Sequence, residues 1–202
     1  MIENASRRDF LKASGGLLLA VALPTKGFAQ AQAHFAPNAF IRIAPDNTVT
    51  VIVKHLEMGQ GTHTGLPTLV AEELDADWSQ VRVEGAPADA SRYNNLFWGQ
   101  AQGTGGSSAL ANSYEQLRKA GATARAMLVS AAASNWGVPS SEITVSKGVV
   151  LHKNLDRKAT FGELAADAAK QPVPADVALK DPKDFVYIGK PAARSDAYAK
   201  ST

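Results

Sequence analysis

Two glycine-rich stretches hold the residues best suited to chemistry. The first is Glu57-Met58-Gly59-Gln60-Gly61-Thr62, where an alternating apolar pattern gives way to a helical one. Glycines two apart let a backbone turn sharply and aim N–H groups at an anion, and a helix starting there adds the positive end of its dipole. The second is Gly99-Gln100-Ala101-Gln102-Gly103-Thr104-Gly105-Gly106-Ser107-Ser108, just ahead of the longest helical pattern in the chain. The N–H groups of residues 104–108 could form another anion nest, with the hydroxyls of Thr104, Ser107 and Ser108 as extra donors. Two such turns suit a ligand with a pyrophosphate and a hydrogen-bonding ring system. Each also has an architectural reading: the first as a plain strand-to-helix junction, the second as linker with Ser107 capping the helix.

Other chemistries find less support. His55 and His63 flank Glu57, but their spacing matches no zinc motif and His34 and His152 are remote, so no metal site is expected. Ser107 lacks a Gly-x-Ser-x-Gly elbow, and no catalytic residue is assigned to this chain. Trp78, Trp98 and Trp136 read as core or loop anchors.

The elements that must position the two turns are legible from periodicity. Residues 40–43 and 48–53 alternate apolar and polar around Pro45-Asp46-Asn47, the pattern of a hairpin leading into the first turn. Leu66, Leu69, Val70 and Leu74 predict a helix over 62–76, with Pro67 acceptable near its first turn. A strand follows at 80–84, with Val81 and Val83 on one face. Residues 85–106 form a connection longer than most structureless loops, and such loops are usually functional or disordered. A long Ala-rich helix is predicted over 107–135 from Leu110, Tyr114, Leu117, Gly121, Ala124, Leu128 and Ala131. Residues 142–152 read as a hairpin across Lys147-Gly148, with Ile143 and Val145 answering Val149 and Leu151. Thr160-Phe161-Gly162-Glu163 matches a capping box for a short helix to Ala169. From Gln171 the prolines multiply and periodicity fades into an extended carboxyl-terminal tail. The element order argues for an α+β fold of mixed strands and helices.

The amino terminus is different in kind. Ser6-Arg7-Arg8-Asp9-Phe10-Leu11-Lys12 precedes an apolar run over 13–23 and a small-residue region over 27–33. That run is too short for a membrane-spanning helix, which needs about 20 apolar residues, so a removable signal over residues 1–33 is expected. The Arg-Arg pair resembles the twin-arginine pattern, which exports proteins already folded, and a Sec signal is the alternative. Cleavage after Ala29, Ala31 or Ala33 is equally compatible. Removing this segment takes four basic and two acidic residues, so the net charge falls from +2 to zero. The basic excess belongs to the signal, which argues against nucleic-acid binding. With no cysteine among 202 residues, the chain can hold neither a disulfide nor an iron–sulfur cluster of its own.

The run from Glu57 through Thr62, continuing His63-Thr64-Gly65-Leu66-Pro67 to Trp78, resembles the Met-Gly-Gln-Gly region of molybdenum-binding large subunits of the xanthine oxidase family. More narrowly it resembles the isoquinoline 1-oxidoreductase and periplasmic aldehyde dehydrogenase branch. Gly103-Thr104-Gly105-Gly106-Ser107-Ser108, Leu117-Arg118-Lys119-Ala120-Gly121-Ala122 and residues 185–194 extend the resemblance over essentially everything from Phe40 to Thr202.

The resemblance implies molybdopterin cytosine dinucleotide with molybdenum as cofactor. It implies Gly59, Gln60 and Gly61 at the phosphate or pterin side, and Thr104, Gly105, Gly106 and Ser107 as a second cradle. It further implies oxidation of aldehydes or N-heterocycles with water as oxygen source. The partners implied are a small two-iron two-sulfur subunit, the remainder of the large subunit and a candidate cytochrome electron acceptor, all in the periplasm and with no retained membrane anchor. Residues 34–184 would be part of a molybdopterin-binding domain, and 185–202 a linker toward a following domain. Two departures stand out. The family's general-base glutamate and its later glycine-rich segment have no counterpart here, and Glu57, Glu72 and Glu73 are expected to be strand-end and helix-surface carboxylates. Two rival readings are a stand-alone periplasmic binding or scaffold domain without redox activity, and a Sec-exported hydrolase.

Overall fold

The computed structural model describes residues 35–195, 197 and 201, and the expected signal over 1–33 lies outside them. A four-stranded sheet in the order β1-β2-β3-β4 supports the first turn. β2 (Ile41–Ile43) and β3 (Val49–Val53) are the expected hairpin, with Ile41 opposite Val51 and Ile43 opposite Val49. Their inward residues are buried and alternate with half-buried ones, as a sheet covered on one face requires. The edge strand β1 (Phe35–Asn38) pairs antiparallel with β2 through an irregular register. Sequence periodicity misses it because it is four residues long and contains Pro37, which a strand tolerates at an edge.

β4 (Val81–Gly85) lies parallel to β3, with Val49 opposite Val81 and Val53 opposite Gly85. Parallel neighbours need a crossover, and α1 (Thr62–Leu74) provides it. This helix stops two residues short of expectation because Asp75 takes a left-handed conformation, φ 56°, and caps the carbonyls of Ala71 and Glu72. Pro67 sits in its second turn, so the carbonyl of His63 loses its helical donor.

The connection over 85–106 is ordered by specific contacts. It contains one helical turn, α2 (Ala90–Tyr93), capped by Asp89. Tyr93 is buried, packs edge-on against Phe40 at 5.6 Å and donates its hydroxyl to Ala39 O at 2.8 Å.

α3 (Ala109–Trp136) is the long Ala-rich helix and packs against α1. The approach is close enough to require glycine: a Cβ on Gly121 would lie 2.7 Å from Val70 O. Leu117, Ala124, Leu128 and Ala131 are buried as their spacing predicts, whereas Leu110 and Tyr114 at the amino-terminal end are exposed.

A second, antiparallel sheet comprises β5 (Thr144–Ser146), β6 (Val149–His152) and β7 (Arg157–Thr160). Its first turn uses Lys147 and Gly148 at φ 47° and 75°, as a two-residue hairpin requires. The register differs by one residue from the expectation. Val145 pairs with Val150, so Val150 and His152 face inward and Val149 and Leu151 are only half-buried. Three consecutive apolar residues left the choice of face open, and a one-residue slip inverts it. α4 (Phe161–Ala168) starts at the predicted capping box, with Glu163 N–H to Thr160 Oγ1 and Thr160 N–H to Glu163 Oε2.

Glu72 and Glu73 correct another expectation: both are fully buried on α1, not on its surface. Residues 180–188 fold back over this helix and supply their partners. Glu72 accepts the N–H groups of Val186, Tyr187 and Ile188 at 2.6 to 3.1 Å, and Glu73 pairs with Arg118 and accepts Lys180 N–H. Burial works against charge on Glu72, but the three N–H donors and Lys180 outweigh it and lower its pKa.

Candidate functional site

β3 runs out through Lys54, His55 and Leu56 into the first glycine turn. Gly59 and Gly61 have φ of 100° and 89°, a conformation that side chains disfavour. Their N–H groups do converge on an anion, and it is the carboxylate of Glu57. Gly59 N–H and Gly61 N–H reach Oε1 at 2.7 and 3.0 Å, and His63 N–H reaches Oε2 at 2.9 Å. Arg194 adds a charged donor at 3.3 Å. Burial opposes ionisation of Glu57, yet the three N–H groups and Arg194 outweigh it and hold the pKa at about 2. The N–H groups of Gly59 and Gly61 are therefore engaged within the turn. Gln60 also turns inward, its Nε2 donating to Leu56 O at 2.6 Å and its Oε1 accepting from Met58 N–H.

The second turn does not engage its own donors in the same way. Gly106 and Ser107 are both left-handed, at φ 60° and 52°. The ring of Trp98 covers Gly103 and Gly105 so closely that a Cβ on either would stand 2.6 or 3.0 Å from it. The residue preceding α3 is Ser108, not Ser107, and it makes no side-chain cap. Ser108 instead donates both its N–H and its hydroxyl to Gly105 O, at 3.2 and 2.7 Å. Thr104 Oγ1 accepts Leu56 N–H at 2.8 Å and so ties the two turns together. The N–H groups of Thr104, Gly105, Gly106 and Ser107 meet no acceptor among the described residues. They lie at the positive end of a 28-residue helix.

The two turns share a hollow of 160 Å³, lined by Met58 and Gln60 from the first and by Thr104, Gly105, Ser107 and Ser108 from the second. The structure thus brings together the two stretches singled out in the sequence. From the first it presents the loop tip and not the glycine amides. A wider hollow of 410 Å³ adjoins, with His55, His63, Ala86 and Thr104 among its walls. A third hollow, of 540 Å³, lies apart from both glycine turns' tips, beside Trp78, Arg82 and Ser195.

Four residues that sequence reasoning did not assign to the site hold it in place. His55 is buried, with Nε2 3.1 Å from Asn112 Nδ2 and Nδ1 3.4 Å from Thr104 Oγ1. Asn112 Nδ2 also donates to Ser108 O at 2.6 Å, so we assign it as a donor to His55 and the imidazole as neutral with its proton on Nδ1. Burial lowers the His55 pKa, in agreement. Asn95 is fully buried and donates to Ser108 Oγ at 2.9 Å. Lys54, buried with Asn94 O and Gln116 Oε1 as acceptors, has its pKa lowered by burial to about 8. The only signal in the sequence was the position of Lys54-His55 at a strand end, because each contact joins segments far apart in the chain. Among the described residues no group of three acidic or histidine side chains could hold a metal ion.

Residues 3–195 match the profile of a molybdopterin cofactor-binding domain family. The chain is 43% identical over 170 residues to the beta subunit of isoquinoline 1-oxidoreductase from Brevundimonas diminuta, covering 80% of this chain and 22% of that one. It is 30% identical over 173 residues to a membrane-bound aldehyde dehydrogenase (pyrroloquinoline-quinone) of Gluconacetobacter polyoxogenes, covering 81% and 21% respectively. It is 32% identical over 209 residues to a subunit of the nicotinate dehydrogenase of Pseudomonas putida, covering 99% and 17%. The chain thus spans about a fifth of the length of these relatives.

Proposed function

Because this chain belongs to the molybdopterin cofactor-binding domain family, we propose that it contributes one side of the cofactor site of an exported molybdenum hydroxylase. The bound form would be molybdopterin cytosine dinucleotide, with its pyrophosphate against the second glycine turn. The observation that carries this reading is the row of N–H groups from Thr104 to Ser107 that meet no acceptor among the described residues, in a turn just before α3 whose Thr104, Gly105 and Ser107 line the 160 Å³ hollow.

The residues fit such a group. Four backbone donors and a helix N-terminus suit a pyrophosphate, while the exposed Met58 side chain offers an apolar contact from the first turn. Among the described residues no group of three acidic or histidine side chains could hold the metal, and the pterin would carry it. When bound, that group supplies the two-electron oxidation of an aldehyde or N-heterocycle. What this chain does is bind and orient: Thr104 fixes the separation of the turns, neutral His55 holds Thr104 and Asn112, and Trp98 shields the glycine backbone from water on one side. Electrons would pass to an iron–sulfur partner subunit, since this chain has no cysteine.

Export in a folded state suits a cofactor inserted before translocation, and Arg7-Arg8 supports the twin-arginine route to the periplasm. The test of binding is titration with cytidine diphosphate, with inorganic pyrophosphate as competitor. Gly106→Val, which forces a β-branched residue into left-handed backbone, is expected to weaken binding by about tenfold or more. Equal affinity in the variant, or no binding by the parent chain, removes the support.

A further inference from the structure

The carboxyl-terminal segment over 180–195 does more than cover α1. Its first half is anchored in the buried carboxylates of that helix, at Glu73 through Lys180 N–H and at Glu72 through the N–H groups of Val186, Tyr187 and Ile188. Lys180 Nζ also reaches Glu72 and Asp75, and the Tyr187 hydroxyl donates to Ala76 O at 2.8 Å. The segment then follows α1 back to its beginning. There Ser195 donates its hydroxyl to His63 O at 2.7 Å and its N–H to Thr64 Oγ1 at 3.1 Å.

The acceptor at His63 exists because of Pro67. A helix residue four positions earlier normally receives an N–H, and proline has none. Ser195 fills that vacancy from 132 residues away. Beside it Arg194 donates to Gly59 O at 3.1 Å and to Glu57 Oε1 at 3.3 Å. Arg194 therefore holds the carboxylate at the centre of the first turn and the carbonyl at its crest, and Ser195 holds the start of α1 directly behind it.

We propose that residues 180–195 are a latch on the first glycine turn, with Arg194 and Ser195 as positioning residues that act through Glu57 and His63. The two ends differ in strength. The carboxylates that hold the anchor, Glu72 and Glu73, are fully buried, whereas the Arg194 side chain is 41% exposed and its hydrogen bonds to Gly59 O and Glu57 lie at the surface. Local opening starts where the holding hydrogen bonds are most open to water, so the latch end releases while the anchor and the sheet stay closed. Release frees the crest of the turn, and with it Met58 and Gln60, which line the shared hollow. The consequence for a ligand rests on the cofactor reading above; the latch itself does not.

The test is amide hydrogen exchange on the whole chain, comparing the parent with an Arg194→Gln, Ser195→Ala double variant. Exchange at Gly59, Gly61 and His63 is expected to rise by about tenfold, with Glu84 and Ala86, whose N–H groups pair with β3, unchanged. Ser195→Thr, which keeps the hydroxyl, should stay near the parent. Unchanged exchange in the turn overturns the latch, and so does an equal rise in the sheet, which would mean general destabilisation. Affinity for inorganic pyrophosphate is read on the same samples. If the parent binds none but the turn still loosens in the double variant, the latch stands and the cofactor reading fails.

Discussion

Leu56 and Thr104, 48 residues apart, meet through a 2.8 Å hydrogen bond from the Leu56 N–H to the Thr104 hydroxyl. That bond sets the distance between the two glycine turns. Everything the site can do depends on this pairing, because neither turn alone encloses a hollow.

Thr104→Val keeps the shape and removes the acceptor. The expected cost is about 1 kcal/mol of stability, the usual worth of one such bond. Pyrophosphate affinity should fall further than that loss alone implies, since the walls of the hollow separate. Denaturant titration and calorimetry on the same variant read the two effects separately.

Glu57 gives a pH signature. Its folded pKa of about 2 lies below the ordinary 4.5. A lowered value means that the ionised carboxylate stabilises the folded chain above the ordinary pKa, and that this contribution is lost as pH falls from 4.5 toward 2. The unfolding midpoints of the parent chain and of Glu57→Gln should therefore lie well apart at neutral pH and converge over that acidic window. A constant gap would mean that Glu57 is not held by the N–H groups of its turn.

Gly121→Val tests the α1–α3 contact. A Cβ already meets Val70 O at 2.7 Å, and the added methyls must push the helices apart, at an expected cost of about 1–3 kcal/mol. Thermal unfolding measures it. A neutral result would mean that the two helices do not approach so closely.

The twin-arginine reading predicts that Arg7→Lys with Arg8→Lys stops export. Fractionation of cells expressing the two forms decides it, and normal periplasmic accumulation of the variant would refute that route.

The sequence made the glycine turns visible because their signal is local: two glycines, a following helical period and a hydroxyl-rich stretch. The hairpin at Lys147-Gly148 and the capping box at Thr160 were visible for the same reason. What stayed hidden is nonlocal. Glu57 looked like a strand-end carboxylate, and only the curvature of the turn brings the N–H groups of Gly59, Gly61 and His63 onto it. Glu72 and Glu73 looked like surface residues because their partners lie far along the chain, Arg118 at 45 residues from Glu73 and the rest more than 100 residues later. His55, Asn95 and Asn112 carry no motif at all, and they matter because the fold stacks a strand end, a loop and a helix start. The β5–β6 register failed where Val149, Val150 and Leu151 offered two apolar faces.

The most direct test of the central claim is elemental and nucleotide analysis of the protein purified from its own cells, before and after acid release of the cofactor. The account predicts equimolar molybdenum and cytidine monophosphate bound to the protein. Protein that is folded, fully exported and free of both would contradict it.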